Sequence, residues 1–208
     1  MRQDKTYGLV LIASSAVLLV MGLTHPGRLP PTREALEHVG LIAAIAHSLA
    51  IVGVWLALWG LAGLSRFLGL ERPQVVGALV AFVMPAAAIT VAAALDGFVV
   101  PRLALQALDA DEATRHTLHS LIGFCVLVAS SLTRIYMLLG AVAIAMWSWV
   151  IRERGLSRGL PLLGATVALA AVATTFGGPA YISVHIVLLL VLVQSAWMVW
   201  AGVLLIRR

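Results

Sequence analysis

The sequence is poor in charged residues and nearly lacks cysteine. Of its 208 residues, 11% are charged and 62% are hydrophobic, and the mean hydropathy is +1.03. This composition excludes a soluble domain, which cannot bury so much apolar surface. The single cysteine, Cys125, excludes an internal disulfide, a CxxC redox pair and a thiolate metal site. We expect Cys125 to be a small apolar packing residue.

The sequence also lacks a concentrated basic patch. The net charge is +5, but Lys and Arg are scattered at the ends of the apolar runs. Nucleic-acid binding needs a basic patch or stripe, so we expect no nucleic-acid partner. The scattered pattern is typical of the basic residues that orient helices in a membrane.

No motif specific to one reaction is present. The chain contains no HExxH, no HxxxH and no Glu-x-x-His pair, and no run carries two histidines at the spacing of stacked haems. The activity therefore has to be inferred from the polar side chains that the apolar runs carry.

Continuous apolar runs fill most of the chain. A helix needs about 20 residues to cross the hydrocarbon core, and the short alternating segments of a transmembrane barrel are not seen. We therefore predict an all-α, polytopic integral membrane protein, a single domain (1–208) with six transmembrane helices in one bundle. The predicted spans are about 7–23, 35–65, 75–100, 114–151, 160–177 and 181–206.

The six predicted spans differ in length. The second and fourth exceed the length that a bilayer requires, so we expect helices 2 and 4 to project on the outer face. A hairpin near 130–134 would make seven spans, but no Gly or Pro marks a turn there, which favours one long helix.

Residues 102–112 are predicted to be a polar connector. The first run lacks a cleavage site, so we expect an uncleaved span.

The basic residues predict the orientation. With six spans, nine Lys and Arg residues lie on the side of the termini and four on the other side. By the positive-inside rule both termini are cytoplasmic, which places the protein in the inner (plasma) membrane. All six tryptophans fall in the cytoplasmic halves of their helices, as in an interfacial belt, and all six histidines fall in the outer halves.

Counting residues from the cytoplasmic basic end of each helix estimates depth, because a helix rises about 1.5 Å per residue. Five polar side chains lie 18 to 24 residues from that end and form one polar layer: His25, His47, Asp96, Arg134 and His185. His38, His116 and His119 lie farther out and form a second layer. Ionisable groups at membrane depth usually face the bundle interior and indicate a functional site.

The polar layer suggests two kinds of cofactor. Histidines with an aspartate can hold zinc, iron or copper, which makes His47, Asp96 and His185 candidate metal ligands. His116 and His119 share a helix face at i, i+3 and are further candidates. Two histidines facing across a bundle can instead hold haem b, and His47 with His185 would be the natural axial pair.

The remaining polar residues and the glycines have structural interpretations. His25, in a loop before Pro26, is expected to cap a helix or to be solvated. Arg134 needs an acidic partner, and Asp96 is the only acid embedded in a predicted span, so we expect the two to form an ion pair or to share a bound ligand. Gly53, Gly60 and Gly63 share one face of helix 2 and, with Gly140, predict close helix packing.

Three functions are compatible with these patterns. One is a membrane metalloprotein or haem protein whose outward-facing site supports redox, lipid or quinone chemistry. The alternative is a non-catalytic accessory or scaffold subunit of a larger membrane complex or a homo-oligomer, with a structural Asp96–Arg134 pair. A transporter lined by these two residues is disfavoured, because the inner halves of the helices carry almost no ionisable residues. Membrane lipid is an expected partner in each case.

Overall fold

The computed structural model describes residues 2–26, 29–177 and 184–207, without the side chains of Arg2, Gly177, Val184 and His185. Over this part of the chain the protein is helical and contains no strand. The helices are α1 (Arg2–Thr24), α2 (Arg33–Leu68), α3 (Pro73–Ala94), α4 (Val100–Asp109), α5 (Glu112–Glu153), α6 (Gly159–Gly177) and α7 (Val184–Ile206). A π-helical segment, Leu95–Val99, joins α3 to α4 without a break.

The described helices include six that are long and apolar enough to cross a membrane. They are α1, α2, the continuous unit from α3 through α4, α5, α6 and α7. The predicted number of apolar helices is therefore confirmed. The prediction of one long fourth helix is also confirmed, because α5 runs unbroken through 130–134.

The predicted polar connector at 102–112 is wrong. Helix α4 continues to Asp109, and only Ala110 and Asp111 separate it from α5. Pro101 lies in the first turn of α4, where a missing N–H is tolerated. The guanidinium of Arg115 donates to the carbonyls of Ala107 (3.2 Å) and Ala110 (2.9 Å), which satisfies the end of the helix.

The six spans form a closed ring. Each packs on the next in chain order, and α1 closes the ring by packing on both α2 and α7. Helix α1 begins beside the end of α7, since an added Cβ at Gly8 would meet the Gly202 carbonyl. The two termini therefore lie at one end of the bundle, and we call the opposite end the distal end.

Small residues on α2 allow α1 to approach closely. An added Cβ at Gly53, Gly60 or Gly63 would lie 2.9, 2.6 or 2.0 Å from the side chains of Leu18, Leu11 and Tyr7, respectively. The predicted close packing is thus confirmed for these three glycines. It is wrong for Gly140, where an added Cβ would meet no atom within 4 Å.

Two tryptophans form the core of the end that carries the termini. Trp147 and Trp197 are fully buried and stack with their ring centroids 6.2 Å apart. Their indole N–H groups donate to Ser65 Oγ and Ser148 Oγ, both at 3.0 Å. Their burial excludes these two residues from an interfacial belt. Trp55, Trp59, Trp149 and Trp200 are exposed, and a belt formed by them stays a prediction.

Helix α4 joins the two longest helices at the distal end. Helix α2 has 36 residues and α5 has 42, which at about 1.5 Å per residue gives lengths of about 54 and 63 Å. Helix α4 packs against both of them, and an ion pair between Arg33 and Asp109 ties α2 to α4. Projection of these ends beyond a membrane stays a prediction.

Candidate metal centre

Three side chains of the polar layer meet at the distal end of the bundle. The Nε2 atom of His47 lies 3.2 Å from Oδ2 of Asp96, and the Nε2 atom of His25 lies 3.3 Å from the same oxygen. The two imidazole rings are 4.8 Å apart at their centroids. Among the described residues, these three form the group of His, Cys, Asp and Glu side chains that can jointly hold a metal ion.

The α1–α2 packing explains how His25 reaches His47. From Gly53 to Gly60 the contact on α1 moves back from Leu18 to Leu11, a step of seven residues on each helix. His47 lies six residues before Gly53 on α2. The position six residues after Leu18 on α1 is next to His25, so the same register places the two histidines together. The glycine-rich face of α2 therefore sets the register that brings the two histidines together.

Gly97 provides the room for His47. A Cβ added at Gly97 would lie 2.5 Å from Cβ and 2.9 Å from Nδ1 of His47, so any side chain there would displace the ring. Gly97 is buried in the π-helical segment, directly after Asp96. The contact brings the backbone beside Asp96 against α2.

The π-helical segment occurs where the α-helical hydrogen bonding is interrupted. Pro101 has no N–H and cannot bond to the carbonyl of Gly97, four residues earlier. Directly before this proline, the N–H of Val100 bonds to the carbonyl of Leu95, which is five residues back rather than the four of an α-helix. Such wide turns inside α-helices are frequent at functional sites, and this one carries Asp96.

The tautomer of His47 is fixed by its own helix. Its Nδ1 atom lies 2.7 Å from the carbonyl oxygen of Ala43, so Nδ1 carries a proton and donates it. In a neutral ring, Nε2 then presents a lone pair to a carboxylate oxygen that can only accept. The two atoms attract each other only when a proton or a metal cation lies between them. Metal-binding histidines are commonly oriented by such an Nδ1–H to carbonyl hydrogen bond.

The two distances to Asp96 fit ligands of one ion, and the ligand atoms of all three residues lie within 4.8 Å of one another. Zinc binds His nitrogen and carboxylate oxygen at about 2.0–2.2 Å, so two tetrahedral ligands lie about 3.3–3.6 Å apart. The two separations from Asp96 Oδ2, 3.2 and 3.3 Å, are close to that spacing. They also lie at or beyond the long end of the range for N–H to O hydrogen bonds.

The cluster is partly open. The side chain of His47 is 7% exposed, whereas those of His25 and Asp96 are 21% and 39% exposed. The Nδ1 atom of His25 is buried and has no hydrogen-bond partner among the described residues. The site therefore combines one rigidly held ligand with a side that is accessible from outside.

Arg134 is not part of the cluster. No ion pair joins it to Asp96, although the structure describes both side chains, and the predicted Asp96–Arg134 pair is wrong. Arg134 Nη1 donates to the carbonyl oxygen of Thr175 at 3.1 Å, in the last turn of α6. The carbonyls at a helix C-terminus carry partial negative charge and accept from a guanidinium, which explains this choice.

Two other predicted ligands whose side chains are described, His116 and His119, lie outside the cluster. His116 and His119 are exposed on the first turns of α5, and His38 is exposed on α2. The side chain of His185 lies outside the described residues. The arrangement does not support haem ligation by His47, because Asp96 and the ring of His25 flank the Nε2 atom that would bind the iron.

The sequence pattern did not predict His25 as a metal ligand. Its depth placed it in the polar layer, but its position in a loop before Pro26 suggested capping or solvation. The available signal was the glycine spacing on α2, which fixes the register of α1 and brings the end of that helix to His47. Comparisons with protein-family models, with curated proteins and with solved structures found no match to this chain.

Proposed function

We propose that this chain is a multi-pass membrane metalloprotein in which His25, His47 and Asp96 hold one divalent transition-metal ion. The observation that carries the proposal is the fixed tautomer of His47. Its Nδ1 proton is committed to the carbonyl of Ala43, and its Nε2 lone pair faces the carboxylate of Asp96. A cation shared by both groups makes that contact favourable.

The ligand set favours zinc or ferrous iron. Two histidines and one carboxylate are the protein ligands of many catalytic zinc sites and of the non-haem iron facial triad. Such a set leaves at least one coordination position for water or substrate, where the ion supplies Lewis acidity or redox chemistry. The exposed side of Asp96 is the route by which an exchangeable ligand reaches this position.

The substrate class follows from the surroundings of the site. The three ligands lie on or beside apolar spans, and the side chains of His25 and Asp96 are partly exposed. A molecule that reaches it from the membrane would be a lipid or a quinone. We therefore propose that the metal serves redox or hydrolytic chemistry on a membrane-dissolved substrate.

The orientation is part of the proposal. The nine-to-four distribution of basic residues supports cytoplasmic termini in the inner (plasma) membrane, which places the metal centre at the outer face. Reporter fusions at Arg72, Arg158 and Arg207 should all give a cytoplasmic signal. An external signal at Arg158 together with an internal one at Arg72 would contradict this orientation.

The experiment that tests the metal centre is elemental analysis of the detergent-purified full-length protein. We expect close to one equivalent of zinc or iron, and a cobalt-loaded sample should show visible d–d absorption. His25→Ala, His47→Ala and Asp96→Asn should lose the metal, whereas the matched control His119→Ala should retain it. Equal metal content in His47→Ala and His119→Ala would overturn the proposal.

The outer half of α5 favours an additional role in assembly. Of the six apolar spans, α5 has the smallest buried share, and Leu121, Phe124 and Leu127 are exposed on it. This face supports contact with lipid, with a second copy of the chain or with another subunit of a membrane complex. Native mass spectrometry from detergent separates these cases, and a monomer without co-purifying protein would contradict an assembly role.

A further inference from the structure

A cavity lies on the axis of the helical ring. All six spans line it: α1 contributes Leu18 and Met21, and α2 contributes Ala50 and Val54. About 60 Å³ of it is accessible to the centre of a water-sized molecule. A single buried water needs about 10–15 Å³ on this measure, so the cavity can hold a ring or a stretch of hydrocarbon chain.

The wall of the cavity is apolar except for three side chains, Thr133, Tyr136 and Gln194. The hydroxyl of Thr133 donates to the carbonyl of Ala129 in its own helix and needs no other partner. The hydroxyl of Tyr136 donates to Oε1 of Gln194 at 3.3 Å. No charged side chain lines the cavity. An ion would therefore have no counter-charge inside it.

Gln194 is left with unused hydrogen-bonding capacity. It is 8% exposed, and its Nε2 atom has no acceptor in the described part of the chain. An amide carries two N–H donors, and Tyr136 can accept from only one of them if the amide is turned around. In either orientation at least one buried N–H of this cavity-lining side chain has no acceptor among the described residues. A buried donor in this state is costly, so a ligand that supplies an acceptor is stabilised there.

We propose that the cavity binds an uncharged, mainly apolar molecule whose carbonyl oxygen accepts a hydrogen bond from Nε2 of Gln194. The apolar wall selects against charge, and the amide selects for the carbonyl. A quinone ring and a fatty acyl ester share this chemistry. The site is distinct from the metal centre, because none of His25, His47 and Asp96 lines the cavity.

The two sites are nevertheless close along the helices. Met21 lies four residues before His25, and Ala50 lies three residues after His47, so each is about one helical turn from a metal ligand. A molecule in the cavity would therefore extend towards the metal centre. Binding itself does not depend on the metal.

The test measures binding by the detergent-purified full-length protein in equilibrium dialysis. The probes are decylubiquinone and methyl laurate, and decylbenzene and dodecane are the matched hydrocarbons without a carbonyl. We expect saturable binding of at least one carbonyl probe, about three- to tenfold tighter than that of its hydrocarbon. A preference for decylubiquinone assigns a quinone, and a preference for methyl laurate assigns an acyl ester.

Two variants locate the site. Gln194→Leu should reduce binding of the carbonyl probe to the level of the hydrocarbon, and Ala171→Leu should reduce binding of every probe by filling the cavity. Ala16→Leu, on an exposed face of α1, is the matched control and should bind normally. Ala171→Leu keeps the polar pair intact, so it tests the site even if Gln194→Leu fails to fold.

The outcomes separate this proposal from the metal centre. Asp96→Asn should lose metal and still bind the carbonyl probe. Equal affinity for a carbonyl probe and its hydrocarbon would overturn the proposal. Unchanged binding in both Gln194→Leu and Ala171→Leu, or lost binding in Asp96→Asn, would overturn the assignment to this cavity.

Discussion

The Nδ1 atom of His47 lies 2.7 Å from the carbonyl oxygen of Ala43, one turn earlier in the same helix. This hydrogen bond fixes the ring and leaves only Nε2 for the cluster with Asp96. The same contact therefore fixes both the orientation and the tautomer of the most buried of the three candidate ligands.

The first prediction concerns that tautomer. In zinc-loaded protein with ¹⁵N-labelled histidine, His47 should show a protonated Nδ1 and a metal-bound Nε2, and His47→Ala assigns the signals. Acidification should release the metal, because protons compete for Nε2 and for the carboxylate. A metal-bound Nδ1 in His47 would contradict the structure.

Gly97 should be needed for metal binding. In Gly97→Ala the new Cβ would lie 2.5 Å from Cβ of His47, so the ring has to leave its position beside Asp96. We expect metal affinity to fall by about 10- to 100-fold, as for other changes that disturb the support of a ligand. Gly123→Ala is the control, because an added Cβ there meets no atom within 4 Å. Titration with a chromophoric chelator measures both variants, and equal affinities would refute the prediction.

Asp96 and Arg134 should act independently. Asp96 contacts the two histidines, whereas Arg134 donates to the carbonyl of Thr175. The effects of Asp96→Asn and Arg134→Met on the free energy of unfolding should therefore add within about 0.5 kcal/mol in the double variant. Arg134→Met should keep its metal. A coupling above about 1 kcal/mol would restore the ion pair that the sequence predicted.

Ser65 should stabilise the tryptophan core. Its hydroxyl accepts from the indole N–H of Trp147 at 3.0 Å, and both residues are fully buried. Ser65→Ala leaves that N–H unpaired and should lower the free energy of unfolding in detergent by about 1–3 kcal/mol. In the control Ser48→Ala, an exposed hydroxyl that bonds its own helix is removed, so the change should stay within about 0.5 kcal/mol. Similar losses in the two variants would argue against this role.

Asp111 should cap α5 in a pH-dependent way. Its carboxylate accepts from the backbone N–H of Thr114, and this bond holds the pKa of Asp111 below its ordinary value. A depressed pKa in the folded state means that the protection is present above about pH 3.9, the ordinary value, and is lost as pH falls through the lower folded value. Amide exchange at Thr114, corrected for its intrinsic rate, should show this loss.

Asp111→Ser provides the control for that titration. A serine hydroxyl keeps the cap but does not titrate, so the protection of Thr114 should no longer depend on pH over that range. Asp111→Ala should lose the protection at every pH. A pH dependence that persists in Asp111→Ser would assign the effect to another group.

The sequence by itself determined the number of long apolar helices and the level of the polar residues along them. Both are local properties: about 20 apolar residues cross a bilayer, and a helix rises about 1.5 Å per residue wherever it packs. Counting from the basic ends therefore placed His25, His47 and Asp96 at one level, and the structure brings these three together. The same count also placed Arg134 at that level.

The tertiary structure decided which residues of that level meet. The direction in which a side chain points around its helix depends on how the helices pack, and the count of residues carries no information about it. The glycine contacts of α2 set the register that brings His25 to His47, and the π-helical segment carries Asp96 beside them. Arg134 faces α6 instead. Depth is a property of one helix, whereas a binding site is a property of several, which is why only the packed bundle defines it.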